Sequence, residues 1–317
     1  MKCINKWICL SLLIAVSCVS GCGKTSAVIE QPYDVYATAA DFGLSSNGSA
    51  EAKSYFASDL CVSEDVAIGT DSTDSQVAEG AGTFNLETNT VVYAKNLYER
   101  LYPASTTKIL TAYIALKYCD DLDAMVTVSE NAVNQASDSS VCNLKAGDVI
   151  RLRDLLYGLM LRSGNDAAVA IAEYISGDVD SFAALMNQEA AAMGATRSHF
   201  VNPNGLPDEN HYTCVYDMYL IFSNAVKNDT FVSIIGTTSY DVTYTDASGE
   251  AVTHTWENTN QYLTGNATTP DGFQIWAVRP EPRARRATVW YCIRIIHPAS
   301  RSYRSYSKRT VSPISIF

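Results

Sequence analysis

The chain has 317 residues, of which 47% are hydrophobic and 18% charged. That is apolar material enough for the core of one large domain or two ordinary ones, and it excludes bulk disorder. A net charge of −11, from 23 basic and 34 acidic side chains, argues against a general nucleic-acid binder. The charge is uneven: residues 1–276 carry 14 Lys+Arg against 33 Asp+Glu, and residues 277–317 carry 9 against 1. Those last residues hold eight of the thirteen arginines and contain no Gly, Leu, Asp or Asn.

Two lysines within residues 1–6 precede an apolar run over 7–19. At about 13 residues the run suits a signal-peptide core and falls short of the ~20 a membrane span needs. It ends in Val19-Ser20-Gly21-Cys22, which resembles the bacterial lipoprotein processing box, in which the cysteine is lipidated and becomes the first residue. Ordinary cleavage after small residues, with Cys22 incidental, is the other reading. Both export the mature chain, and with no later apolar segment of spanning length the expected membrane anchor is lipid on Cys22 alone. Residues 1–22 are thus a lipoprotein-type signal segment, and the small, polar stretch 23–54 reads as a flexible tether. Of the cysteines beyond Cys22, Cys61, Cys119, Cys142, Cys214 and Cys292 form no C-x-x-C pair, so small buried thiols are expected rather than a zinc site. The histidines at 199, 211, 254 and 297 make no cluster, and no metal is expected.

From residue 84 to 95 the pattern predicts two short strands around Glu87-Thr88-Asn89. A helix is expected over 105 to about 118, where Ile109, Ala112, Tyr113 and Leu116 recur at helical spacing. A second runs from about 152 to 161, a third over 166–175 behind Ser163-Gly164-Asn165, and a fourth over 181–193, stopped by Gly194. Strand patterns return at 239–244 and 252–256. Strands at both ends with helices between predict an α+β domain over 55–276, its sheet joining distant parts of the chain.

Two motifs could carry chemistry. In Pro103-Ala104-Ser105-Thr106-Thr107-Lys108 a serine at a helix start faces a lysine one turn on, beside the orphan N–H groups of the terminus. A lysine kept neutral could take the serine proton. The bland reading is a capping serine with a solvated lysine, and Ser305-Tyr306-Ser307-Lys308 fits the same spacing. In Ser163-Gly164-Asn165, between two amphipathic helices, the hydroxyl can relay a proton and the carboxamide can hold a substrate amide. A turn plus N-cap is the bland reading there.

Together the motifs resemble the S-x-x-K and S-D-N signatures of penicillin-binding proteins. The closer resemblance is to the D-alanyl-D-alanine carboxypeptidases, which carry P-A-S-x-x-K and S-G-N followed by D-A-A. Here these stand as Pro103 to Lys108 and as Ser163-Gly164-Asn165-Asp166-Ala167-Ala168. Phe200-Val201-Asn202-Pro203-Asn204-Gly205-Leu206, with His211 and Asp217, resembles a further stretch of that family. Class A β-lactamases, similar in fold, rely on an extra Glu-x-x-x-Asn loop that is not found between Ser163 and Trp256.

The resemblance implies a serine β-lactamase/DD-peptidase-like fold, an antiparallel sheet with covering helices plus a helical subdomain. It implies removal of the terminal D-alanine from peptidoglycan stem peptides through an acyl-enzyme on Ser105. Lys108 would be the general base, Ser163 a proton shuttle and Asn165 the holder of the substrate amide. No cofactor is implied, β-lactams would be covalent inhibitors, and the protein would sit on the extracytoplasmic face of the bacterial cytoplasmic membrane.

The family's third motif, Lys/His-Thr/Ser-Gly on a sheet edge, is missing beyond Asn258-Thr259-Asn260, so the fold is expected to be incomplete at that strand. The composition break falls where the motif belongs. Read one nucleotide earlier, the codons permitted over residues 277–294 can encode G-S-K-T-G-T-T-S-K-A-G-N-C-L-V-L-Y-S. The single tryptophan codon at Trp290 followed by Tyr291 forces the valine in that string. Residues 277–317 are therefore expected to be an out-of-frame tail. The alternatives are a genuine basic tail on anionic wall polymer or lipid, and a catalytically dead module that takes the missing motif at face value.

Overall fold

The first strands form the expected hairpin, β1 (Ala81–Asn85) and β2 (Thr90–Lys95), turning through Asn89 at φ 52°. The computed structural model describes residues 57–69, 79–86 and 88–268, together with the backbone of three later strands. Those strands are β7 (Gln274–Val278), β8 (Tyr291–Ile295) and β9 (Ile314–Ile316), and they complete an antiparallel five-stranded sheet in the order β2-β1-β9-β8-β7. The sheet thus joins distant parts of the chain. At the edge where the third motif was missed the chain supplies the backbone of β7, and the sequence there is Gln-Ile-Trp-Ala-Val. The expected signal segment with Cys22, the tether, and the tail apart from these backbone strands lie outside the described residues.

The hairpin β5 (Ser239–Thr245) and β6 (Ala251–Glu257) occupies a second sheet, in the order β3-β4-β5-β6. Its partners, β3 (Met125–Thr127) and β4 (Val149–Arg151), are three residues each, too short for a period of two to emerge from the sequence. The alternation that buries Val242, Tyr244 and Trp256 chose the inward face of this hairpin and left its neighbour open.

Seven helices are described. α1 (Thr107–Tyr118) follows a 3-10 turn at Ala104–Thr106 and is buried nearly all round through its first nine residues, as the central helix of a cluster must be. α2 (Glu130–Val133) is a single turn capped by Ser129. The helix predicted over 152–161 is α3 (Leu152–Tyr157), which widens into a π-helical turn at Gly158–Arg162. α4 (Asn165–Ser176) and α5 (Val179–Ala192) start within two residues of expectation, α5 with the Asp178 carboxylate accepting from the Ser181 N–H. α6 (Val215–Ala225) and α7 (Asp229–Ile235) complete the cluster. Phe84 of β1 stacks on Tyr219 of α6 at 4.2 Å, tying the five-stranded sheet to the helices. Cys61, Cys142 and Cys214 are buried free thiols and Cys119 is half-buried.

Candidate active site

Ser105 and Lys108 stand one turn apart where the 3-10 turn runs into α1. Neither the turn nor the helix carries a side-chain cap, and Lys108 is only 2% exposed while Ser105 is half-buried. This geometry rejects the reading of a capping serine beside a solvated lysine. The other match to that spacing, Ser305 to Lys308, lies outside the described residues.

Ser163 arrives from the far side. The π-helical turn ends on Ser163 in the left-handed region, φ 55° and ψ 40°, a conformation that costs a side-chain-bearing residue on the order of 1–2 kcal/mol. Wide turns of this kind recur at functional sites, and here the turn brings the Ser163 hydroxyl to donate to Ser105 Oγ at 3.0 Å. Gly164 caps α4 without a side chain, and Asn165 turns its carboxamide oxygen to Lys108 rather than to the helix end. The turn-plus-cap reading fails with it.

Lys108 Nζ lies within reach of Asn204 O at 2.5 Å, Asn165 Oδ1 at 2.8 Å and Ser105 Oγ at 3.3 Å. The first two can only accept, so a neutral amine directs its two hydrogens to them. Its lone pair can then face Ser105, whose hydroxyl, unlike those two oxygens, has a hydrogen to give. This is the arrangement that hydroxyl activation by an amine requires.

Sequence reasoning assigned no task to the residues that hold this cluster in shape. Asp166, 1% exposed, accepts from the N–H groups of Cys142 (2.9 Å), Leu144 (3.2 Å) and Ala167 (2.9 Å), and the Asn165 N–H donates to Ser140 O at 2.8 Å. The loop 200–206 lies against α1. Thr111 Oγ1 donates to Pro203 O at 2.7 Å, and Gly205, at φ +86°, packs so tightly that a Cβ there would stand 1.8 Å from Ala104 O. Asn202 shapes the loop by accepting from the Gly205 N–H at 2.7 Å and donating to Leu206 O at 3.0 Å.

His211, 1% exposed, accepts from the Val201 N–H at Nδ1 (3.1 Å) and meets Thr107 Oγ1 at Nε2 (2.8 Å). Because a main-chain N–H can only donate, Nδ1 is bare, and in the neutral ring Nε2 carries the hydrogen and gives it to Thr107. Burial pushes the imidazole pKa down to about 4, in keeping with that neutral ring. Asp217 accepts from Arg197 N–H and the Ser198 hydroxyl, and burial raises its carboxyl above the ordinary value. The signal that marks these residues is a polar side chain with almost no exposure, which composition and spacing do not report. Among the described residues no group of three or more His, Cys, Asp or Glu could hold a metal ion. Among them, too, no helix is long and apolar enough to cross a membrane.

Residues 69–274 match the family described as D-alanyl-D-alanine carboxypeptidase. The chain is 35% identical over 164 residues to the D-alanyl-D-alanine carboxypeptidase DacF of Bacillus subtilis (strain 168), a match covering 50% of this chain and 42% of that protein. It is 37% identical over 196 residues to the D-alanyl-D-alanine carboxypeptidase of Streptomyces sp. (strain K15), covering 59% and 67%. The crystal structure of the Streptomyces K15 DD-transpeptidase superposes with a TM-score of 0.63 at 29% identity, over 76% of this chain and 88% of that one. Penicillin binding protein 6B from Escherichia coli, at 23% identity and a TM-score of 0.60, shares the fold.

Proposed function

The chain belongs to the D-alanyl-D-alanine carboxypeptidase family, and from that premise we propose that it removes the terminal D-alanine of peptidoglycan stem peptides through an acyl-enzyme on Ser105. The observation that carries this reading is the convergence of Lys108 Nζ and Ser163 Oγ on Ser105 Oγ, at 3.3 and 3.0 Å. Lys108 takes the Ser105 proton as Oγ attacks the penultimate D-alanine carbonyl. Ser163 relays that proton from Lys108 to the departing amino group, the C–N bond breaks, free D-alanine leaves an ester on Ser105, and Lys108 is neutral again. Water, activated by the same lysine, then returns the serine. With Oδ1 of Asn165 bound to Lys108, its amide hydrogens are the group that holds the substrate carbonyl. The same site chemistry makes β-lactams covalent inhibitors. Proteins of one Streptomyces strain carry the names carboxypeptidase and DD-transpeptidase, and the acceptor of the acyl group, water or an amine, is the step in which those two activities differ.

The rest of the reading concerns the ends of the chain. Export behind residues 1–22, lipid on Cys22, and a tether over 23–54 would put the domain at the outer face of the cytoplasmic membrane, within reach of the wall. At the other end the family match stops at residue 274, three residues before the composition turns basic. That coincidence supports residues 277–317 as an out-of-frame tail, with Lys-Thr-Gly spelled over 279–281 in the neighbouring frame. In the family the strand bearing that motif binds the substrate carboxylate and completes the oxyanion site. The same missing motif favours a second reading, a tethered module that binds wall peptide and does not turn over.

D-alanine release from a stem pentapeptide separates the two, measured for the chain as written and for one carrying the neighbouring-frame sequence from residue 277. Release by the second alone supports the family activity and the displaced frame. Release by neither leaves the non-catalytic module as the function. A gene whose neighbouring frame does not spell Lys-Thr-Gly there would end the frame reading outright.

A further inference from the structure

Three contacts bind the loop 200–206 to the 3-10 turn and the first turns of α1, a fourth comes from His211, and along the chain they alternate between reacting and non-reacting residues. Asn204 O meets Lys108 Nζ, Gly205 abuts Ala104 and Ser105, Pro203 O accepts from Thr111, and His211 reaches Thr107. Thr107 sits between the two chemical residues, fully buried, one position before Lys108. On its other side the same imidazole takes the N–H of Val201, in the loop carrying Asn204 and Gly205. Phe200 meets the ring edge-on at 5.6 Å, fixing its plane. His211 thus grips α1 with one ring nitrogen and the loop with the other.

We propose that His211 is a positioning residue for the acylation step. It clamps the loop to α1 so that the Asn204 carbonyl holds Lys108 with its lone pair toward Ser105. The inference rests on reading Ser105 and Lys108 as the reacting pair, and nothing in it requires His211 to touch substrate. A clamp of this kind acts on rate rather than on ligand capture, because the geometry it protects is that of the nucleophile and its base. Displacements of ~1 Å in such groups cost on the order of a hundredfold in rate.

The test uses the full chain and three variants: His211→Phe, which keeps the ring volume and loses both bonds; Thr107→Val, which keeps the shape and removes the acceptor; and His211→Gln, whose amide can still donate to Thr107. Two readouts are taken beside thermal melting: the rate constant and the non-covalent dissociation constant for acylation by a fluorescent penicillin, and the side-chain nitrogen resonance of Lys108, assigned through Lys108→Arg. His211→Phe and Thr107→Val should acylate roughly ten- to a hundredfold more slowly with the dissociation constant unchanged. In both, the Lys108 resonance should move by more than its linewidth, and His211→Gln should recover most of the rate. Folded His211→Phe and Thr107→Val proteins with the wild-type lysine resonance would overturn the proposal. If the wild type takes no label, the acylation reading fails, and the lysine resonance alone still decides whether His211 positions Lys108.

Discussion

Replacing Gly205 by alanine puts a methyl group into the main chain that leads into Ser105. The new Cβ would lie 1.8 Å from Ala104 O, 2.3 Å from Ala104 C and 3.1 Å from Ser105 N. Two costs are involved, and the structure supplies a control that separates them. The left-handed backbone alone costs alanine about 1–2 kcal/mol. Gly177, also at positive φ (+85°) but with nothing within 4 Å of a Cβ, carries a backbone cost without the contact. At Gly205 the Ala104 carbonyl must also withdraw by about 1.2 Å before the contact reaches the 3.0 Å that real Cβ atoms keep. That carbonyl belongs to the residue before the nucleophile, so the withdrawal is paid in catalytic geometry, where ~1 Å is worth on the order of a hundredfold. Gly177→Ala should lower the melting temperature by about 2–4 °C per kcal/mol lost and leave acylation by a fluorescent penicillin unchanged. Gly205→Ala should lose at least as much stability and acylate about a hundredfold more slowly. Equal acylation rates in the two variants would refute the reasoning.

Two further outcomes follow from buried polar side chains. His211 is held at about 4 against 6.5 in the unfolded chain, so its neutral form favours folding. That contribution is whole above pH 6.5 and is lost as pH falls toward 4; by linkage it amounts to about 3 kcal/mol. Asp217, raised by burial, works with the opposite sign and gains stability as pH falls, so the effect is read as a difference. Urea unfolding of wild type and His211→Gln should show a stability gap that narrows by about 3 kcal/mol from pH 7 to pH 4, and a gap independent of pH would contradict it. Asp166→Asn turns an amide donor toward the N–H groups of Cys142, Leu144 and Ala167 and should cost about 2–3 kcal/mol in the same assay. An Asp166→Asn variant as stable as wild type would show that the carboxylate does not hold that loop.

How much of this was legible in the sequence depended on whether a residue's identity or its backbone carries the information. Ser105, Lys108, Ser163 and Asn165 were named by two short motifs, because side-chain chemistry at fixed spacing survives in the letters. The structure brings those four together. Asn204 was quoted within a family stretch and given no task, since it acts through a main-chain carbonyl that any residue type possesses. α6 went unpredicted although it is as deeply buried as α1, with Val215 and Asp217 through Phe222 all buried. The π-helical turn was read as plain helix, since it differs from α in backbone width and not in the spacing of its leucines. The partner of the 239–257 hairpin was hidden for a related reason: alternation tells which face is buried, and three-residue strands tell almost nothing.

The central claim is that Ser105 is the acylated residue, and the most direct measurement of it is covalent labelling. The full chain is incubated with a fluorescent penicillin, digested, and the labelled residue located by mass spectrometry, with Ser105→Ala in parallel. The account predicts one adduct, on Ser105, absent from the variant. Label on any other residue, or no label on the folded protein either as written or with the neighbouring-frame sequence from residue 277, would contradict it.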